Sequence, residues 1–302
     1  MARSVSVSHE YVEQVVRRRK RLHRIGNIGT VVFLVLFVFW TTMPFIIMLI
    51  SSFKASSDAF ALPPIGRWGE AQQRFWSFKP TLQHYRTLFE VEGYLRYFKN
   101  SFLAAGGSAI VSLVFGASAA YALSRSNFRR KGDVYFWVLT TRMAPVVAVL
   151  VPLYTLFKIF GLLSSIPGLI IAYTTFNLPF SIWILKGFFD NVPYSVEEAY
   201  MVDGQSRFRA FIRTVPLAAP GLVAVFVLCV LLAWNDFLFA AIMGGNAART
   251  LPVATAQLKS STEIRWGEIT AAGVLTTAPM MFLGFLIRKY LITGLTMGAV
   301  RE

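Results

Sequence analysis

Apolar positions along this chain fall into six long runs, at 28–50, 102–123, 134–157, 166–187, 217–243 and 269–292, with polar segments between them. Each run is long enough to cross a hydrocarbon core ~30 Å thick, which takes roughly 20 helical residues. Uninterrupted apolar segments of this kind must be helical, because lipid offers their backbone N–H and C=O groups no other partners. The pattern predicts an all-α integral membrane protein with six transmembrane helices. Residues 51–99 are longer, aromatic-rich and punctuated by "LPPIGRWG", which predicts a partly ordered outer cap with short helices.

Lysine and arginine set the orientation. They are denser in the tail 1–27, the loop "SRSNFRRKGD" at 124–133, the segment 186–216 and the C-terminal end than in the alternate loops. Cytoplasmic loops carry such an excess, so both termini and the 194–216 segment are expected on the cytoplasmic side. The basic stretch from Arg17 to Arg24 precedes a run longer than a signal-peptide core, which reads as an uncleaved first span. In the second run Ser112, Gly116 and Ala120 recur at four-residue spacing, a small-residue ridge suited to close helix approach.

Composition agrees with this reading and removes others. The chain is 55% hydrophobic and 15% charged, with a mean hydropathy of +0.55, too apolar for a soluble globule of 302 residues. The net charge of +15 does not indicate nucleic acid, because the basic residues flank apolar runs. The lone Cys229 builds no disulfide framework. His9, His23 and His84 lie outside the runs without ligand spacing, so neither a metal site nor a catalytic group is expected. Nor is there a G-x-x-x-x-G-K-[ST] phosphate loop.

Polar residues inside the runs are few. Ionisable groups there cost roughly 2.5–3.5 kcal/mol on insertion scales, so Arg142 and Asp236 need a reason. Asn177 and Asn235 add amide hydrogen-bonding capacity, and Pro145, Pro152 and Pro179 are expected to interrupt helices and free backbone groups nearby. Arg142, Asn177, Asn235 and Asp236 would suit a hydroxyl-rich solute, with Trp183 or Trp234 to stack on its apolar faces. Alternatively Arg142 and Asp236 pair with each other or with another subunit, and Asn177 serves packing.

The charge-studded passage "EEAYMVDGQSRFRAFIRTVP" at 197–216 interrupts the apolar chain. Ser195 and Glu198 have the S-x-x-E spacing of a capping box, predicting a short helix over 196–202. Asp203 and Gly204 signal a turn with Gly204 as C-cap. Beyond it Phe208, Phe211, Ile212 and Val215 share one helical arc, apart from Arg207, Arg209 and Arg213, and Pro216 marks the junction with the fifth run. Such a knob would lie on lipid or dock into a partner's groove.

Glu198-Ala199-Tyr200-Met201-Val202-Asp203-Gly204, followed by Thr214-Val215-Pro216, resembles the EAA loop of bacterial ABC-importer permeases, E-A-A-x-x-x-G and then I-x-L-P. Tyr200 replaces the second alanine, and Pro216 follows the glycine by one residue fewer than usual. "FKPTLQHYRTLF…YFKNS", "FNLPFSIWILKGFFDNVP", "LAAPGL…AWNDFLFA" and the ending "GLTMGAVRE" resemble the carbohydrate, maltose-type subgroup. The resemblance implies a permease for a sugar or sugar alcohol, forming half of a translocation pore. Its coupling-helix loop would meet the ATPase through Glu198, Ala199, Asp203, Gly204, Phe208, Phe211, Ile212 and Pro216. The implied partners are a second permease in a heterodimer, an ATPase dimer, an extracytoplasmic solute-binding protein and membrane lipid. The chain itself would hold no cofactor; ATP and Mg would sit on the ATPase subunits. A secondary transporter coupled to protons through Asp236 is the alternative, against which stand six spans without inverted repeats.

Overall fold

The computed structural model describes residues 9–55, 78–258 and 265–297, with side chains described within 27–288 of that range. Every regular element among the described residues is helical. In chain order they are α1 (His9–Ser52), α2 (Gln83–Glu90), α3 (Tyr94–Arg125), α4 (Lys131–Thr141), α5 (Val146–Ile159) and α6 (Ile166–Asp190). Then come α7 (Tyr194–Val202), α8 (Arg207–Thr214), a 3-10 turn (Val215–Ala218), α9 (Ala219–Trp234), α10 (Leu238–Met243), α11 (Leu251–Gln257) and α12 (Trp266–Met297).

The core is the pair α3 and α6, with α9 packed across both. The ridge read from the sequence explains the pairing, for Ser112, Gly116 and Ala120 are all buried. A Cβ on Gly116 would stand 2.6 Å from the Ser181 Cβ of α6, so only glycine permits this approach. Local chemistry sets the ends of α6. Ser165 accepts the Gly168 N–H at 3.1 Å as N-cap, Pro167 occupies the first turn, and Pro193 follows shortly after the last residue. Outside this core α1 packs against α12, and no residue in the apolar window of α1 is buried, leaving it to lipid.

Two expected spans differ from the continuous helices that hydropathy predicts. The run 134–157 is divided into α4 and α5, whose axes differ by 88°. Pro145 is the N-cap of α5, and it denies the preceding residue its helical conformation. Among the described residues five helices are thus long and apolar enough to cross a membrane, one of them the continuous stretch Arg207–Trp234 that joins α8, the 3-10 turn and α9, and six if the bent pair counts as one. The run 217–243 likewise ends as α9 at Trp234, and α10 is a separate short helix. Pro152 and Pro179, by contrast, sit within unbroken helices, so of the three expected interruptions only that at Pro145 occurs.

Part of the outer segment is described. His84 of α2 is buried, with Nε2 2.7 Å from the Lys54 carbonyl oxygen at the end of α1 and Nδ1 3.6 Å from Glu268 of α12. Most of the tail 1–27, residues 56–77 with "LPPIGRWG", and the whole of "GLTMGAVRE" lie outside the described side chains.

Candidate functional site: an intramembrane cavity and a clamped polar knob

The break between α4 and α5 opens a cavity of ≈ 260 Å³ at the junction of α6, α9 and α10. Arg142, Asn177 and Asp236 line it together, with Tyr173, Phe176 and Phe239 as its aromatic wall. Arg142 occupies the bend as the C-cap of α4, and its guanidinium lies 4.3 Å from the Phe180 ring centroid, a cation–π contact. It makes no ion pair with Asp236. The Asp236 carboxylate instead accepts the Phe239 and Ala240 N–H groups at 3.0 and 3.3 Å, closing the first turn of α10.

Asn177 is 3% exposed and donates from Nδ2 to the Cys229 carbonyl of α9 at 3.2 Å and to Ser108 Oγ of α3 at 3.4 Å. It ties three helices while bordering the cavity. Asn235 is not in the lining; its amide donates to the Leu231 carbonyl at 2.8 Å on the exposed side of the break. Neither expected tryptophan lines the cavity either. Trp234 is buried against Phe98 and donates Nε1–H to the Thr276 carbonyl at 3.1 Å, while Trp183 is half exposed. Tyr173, Phe176 and Phe239 are the aromatics the sequence reading missed, and their α6 spacing around Asn177 is the signal that could have found two of them.

The second locus is the polar knob. Helix α7 begins at Tyr194 with Pro193 as N-cap and no side-chain cap bond. The Ser195–Glu198 capping box therefore does not form, because the earlier start places Ser195 inside the first turn. The C-terminal expectation agrees with the structure: Gly204 has φ +78°, the Gln205 N–H reaches the Tyr200 carbonyl at 3.0 Å and the Gly204 N–H reaches that of Met201 at 3.0 Å. This is a Schellman closure, which favours glycine. Two residues on, Ser206 caps α8 by accepting the Arg209 N–H at 3.4 Å.

The inward face of α8 is Ala210 and Thr214, with Phe211 packed on Tyr121 of α3 at 4.7 Å between ring centroids. Phe208 and Ile212, one turn apart, face outward at 68% and 52% exposure, and Val202 beside the turn is exposed as well. The arc seen in the sequence is thus split, because Tyr121 accommodates one aromatic ring and leaves the other outside. Glu198, Ala199, Asp203, Gly204 and Pro216 are exposed too. Glu197, which sequence reasoning passed over for Glu198, is 2% exposed. Its Oε1 accepts from Arg125 Nε at 2.6 Å, and its Oε2 accepts from the Tyr121 hydroxyl at 2.8 Å. Arg125 also donates to the Val192 carbonyl at 2.9 Å.

A lipid-facing helical bundle with broken helices around a polar cavity, and a rigid polar knob held beneath it, has the build of a membrane transport protein. The family described as "Binding-protein-dependent transport system inner membrane component" matches residues 112–296, which include both loci, and the chain belongs to this family. It is 35% identical to the inner membrane ABC transporter permease protein YcjP of Escherichia coli over 281 residues, 92% of this chain and 97% of that one. It is also 31% identical to the trehalose/maltose transport system permease protein MalG of Thermococcus litoralis, covering 85% of this chain and 91% of that one. Among solved structures, a chain of a bacterial ABC transporter involved in the import of the acidic polysaccharide alginate superposes with a TM-score of 0.72 at 22% identity, over 89% of this chain and 98% of that one. The protein is a multi-pass inner membrane permease component and not an enzyme.

Proposed function

We propose that this permease imports a sugar or sugar alcohol as one half of a heterodimeric pore, driven through the 194–216 knob by a separate ATPase dimer. The observation that carries this reading is the knob itself. Its two helices are fixed by the Gly204 closure and the Ser206 cap, while Phe208 and Ile212 remain uncovered beside Arg209 and Arg213. A rigid, partly apolar and basic surface on a polar loop suits a groove on a soluble partner better than a lipid core. Both termini and the knob face the cytoplasm in this reading, where ATP and Mg are held by the ATPase subunits.

An extracytoplasmic binding protein delivers the solute on the opposite face. The cavity supports the carbohydrate class: Asn177 and Asp236 supply hydrogen-bonding groups, and Tyr173 and Phe176 supply aromatic wall, the combination that hydroxyl-bearing rings require. The trehalose/maltose permease of Thermococcus litoralis agrees with that class. The test is copurification. Phe208→Asp with Ile212→Asp should leave the permease pair intact and release the ATPase subunits; full retention of the ATPase would overturn the docking assignment.

A further inference from the structure

We propose that the buried Arg125–Glu197 pair is the positioning contact through which movement of the knob becomes tilt of α3, so that α3 acts as a strut between the two faces of the membrane. This rests on the docking role given to the knob above. Helix α3 has 32 residues and is about 48 Å long at 1.5 Å per residue. Both of its ends are fastened by side-chain bonds to segments far along the chain. At one end Arg125 binds Glu197 of α7 and the Val192 carbonyl just before it, and the Tyr121 hydroxyl takes the second Glu197 oxygen. The Tyr121 ring also contacts Phe211 of α8, so both knob helices touch this one turn of α3.

At the other end Asn100 donates to the Ala247 and Arg249 carbonyls at 3.1 and 2.9 Å, and Arg96 donates to those of Asn246 and Ala247. Ser101 accepts the Leu251 N–H at 2.8 Å. The segment 244–251 on the outer face is therefore hung from the first turns of α3. Between the two ends the helix runs unbroken, without proline and packed against α6 along its small-residue ridge.

Charge and burial locate the transmitting contact at Glu197. The Arg125 and Glu197 side chains are 13% and 3% exposed, and their 2.6 Å contact is shielded from water and salt. A surface contact would slip under load; a buried, charge-assisted hydrogen bond with a second donor on the same carboxylate holds geometry. Neighbouring Glu198 is exposed and free to meet the partner, so adjacent glutamates divide the work: one faces out, one anchors in.

The test uses the complete complex in vesicles, with ATPase subunits and solute-binding protein, and reads two quantities: ATP hydrolysed per solute imported, and stimulation of hydrolysis by the loaded binding protein. Glu197→Gln keeps a hydrogen-bonding side chain of the same size and removes the ion pair. It should retain the ATPase subunits but raise ATP consumed per solute about tenfold and lose most of the stimulation, a change within the usual range of coupling between sites. Arg125→Glu combined with Glu197→Arg should recover part of the stimulation that either single exchange loses. Wild-type stoichiometry and stimulation in Glu197→Gln would overturn the proposal, as would a loss of uptake that merely tracks the loss of assembled complex. Phe208→Asp separates the two readings: if it too retains the ATPase and full uptake, the docking role has failed, whereas its loss beside a wild-type Glu197→Gln rejects only the strut.

Discussion

Gly116 of α3 and Ser181 of α6 meet so closely that a methyl group on Gly116 would stand 2.6 Å from the Ser181 Cβ and 3.5 Å from its backbone carbon. That contact sets the spacing of the central helix pair, on which α9 and the cavity then depend. Overpacking a tight interface costs roughly 1–3 kcal/mol, and here one neighbour is backbone that cannot rotate aside. Gly116→Leu should lower the thermal unfolding temperature of the purified permease and reduce its yield from membranes. Gly106, whose added Cβ would meet nothing within 4 Å, is the matched control, and Gly106→Ala should leave both unchanged.

Asn177 holds α3, α6 and α9 together through a single side-chain amide. Interhelical hydrogen bonds in membranes are worth about 0.6 kcal/mol on average and at most about 1.7. Asn177→Leu should therefore destabilise the permease by about 1–2 kcal/mol in a detergent unfolding titration, with the added burden of a branched chain beside Ser181. Uptake should fall further than stability does, because the same side chain borders the cavity.

Asp236 has two separable features, a carboxylate that closes the first turn of α10 and a place in the cavity wall. Asparagine keeps an oxygen for the Phe239 and Ala240 N–H groups and keeps hydrogen-bonding capacity toward hydroxyls, losing only the charge. Asp236→Asn should retain uptake to within about threefold, whereas Asp236→Ala should lose about tenfold or more at equal complex in the membrane. Abolition of uptake by Asp236→Asn would point to proton coupling through this carboxylate, the mechanism of a secondary transporter.

Much of this architecture was legible in the sequence because hydropathy reads length and composition, and those decide what crosses lipid. Bends and bonds are less visible. The run 134–157 is apolar on both sides of Pro145, so its mean hydropathy carries no trace of the 88° turn, which only the proline announces and whose angle it does not give. Periodicity is also weak in a helix surrounded by lipid on one side and apolar neighbours on the other, so Trp234, buried, and Trp183, half exposed, look alike. In the knob, Gly204 was readable because a positive φ strongly favours glycine. Glu197 was not, since only the arrival of Arg125 from 72 residues earlier distinguishes it from Glu198. The Ser195 capping box failed for a related reason: Pro193 starts the helix earlier than the motif requires.

The isolated chain should hydrolyse no ATP, since it carries no phosphate-cradling loop and belongs to a permease family. Steady-state hydrolysis assays on the purified subunit check this, and any activity that copurifies through size exclusion and survives removal of trace ATPase subunits contradicts it.

Whether the knob drives transport turns on Gly204. Its φ of +78° strains any β-branched residue, yet an added Cβ would meet nothing within 4 Å, so Gly204→Val disturbs the angle between α7 and α8 without a steric clash at its Cβ. The decisive measurement is ATP-dependent solute uptake into vesicles bearing the full complex, wild type against Gly204→Val, at matched amounts of inserted permease. Uptake should require ATP in the wild type and fall about tenfold or more in the variant. Wild-type uptake by Gly204→Val, or uptake that proceeds without ATP, would contradict it.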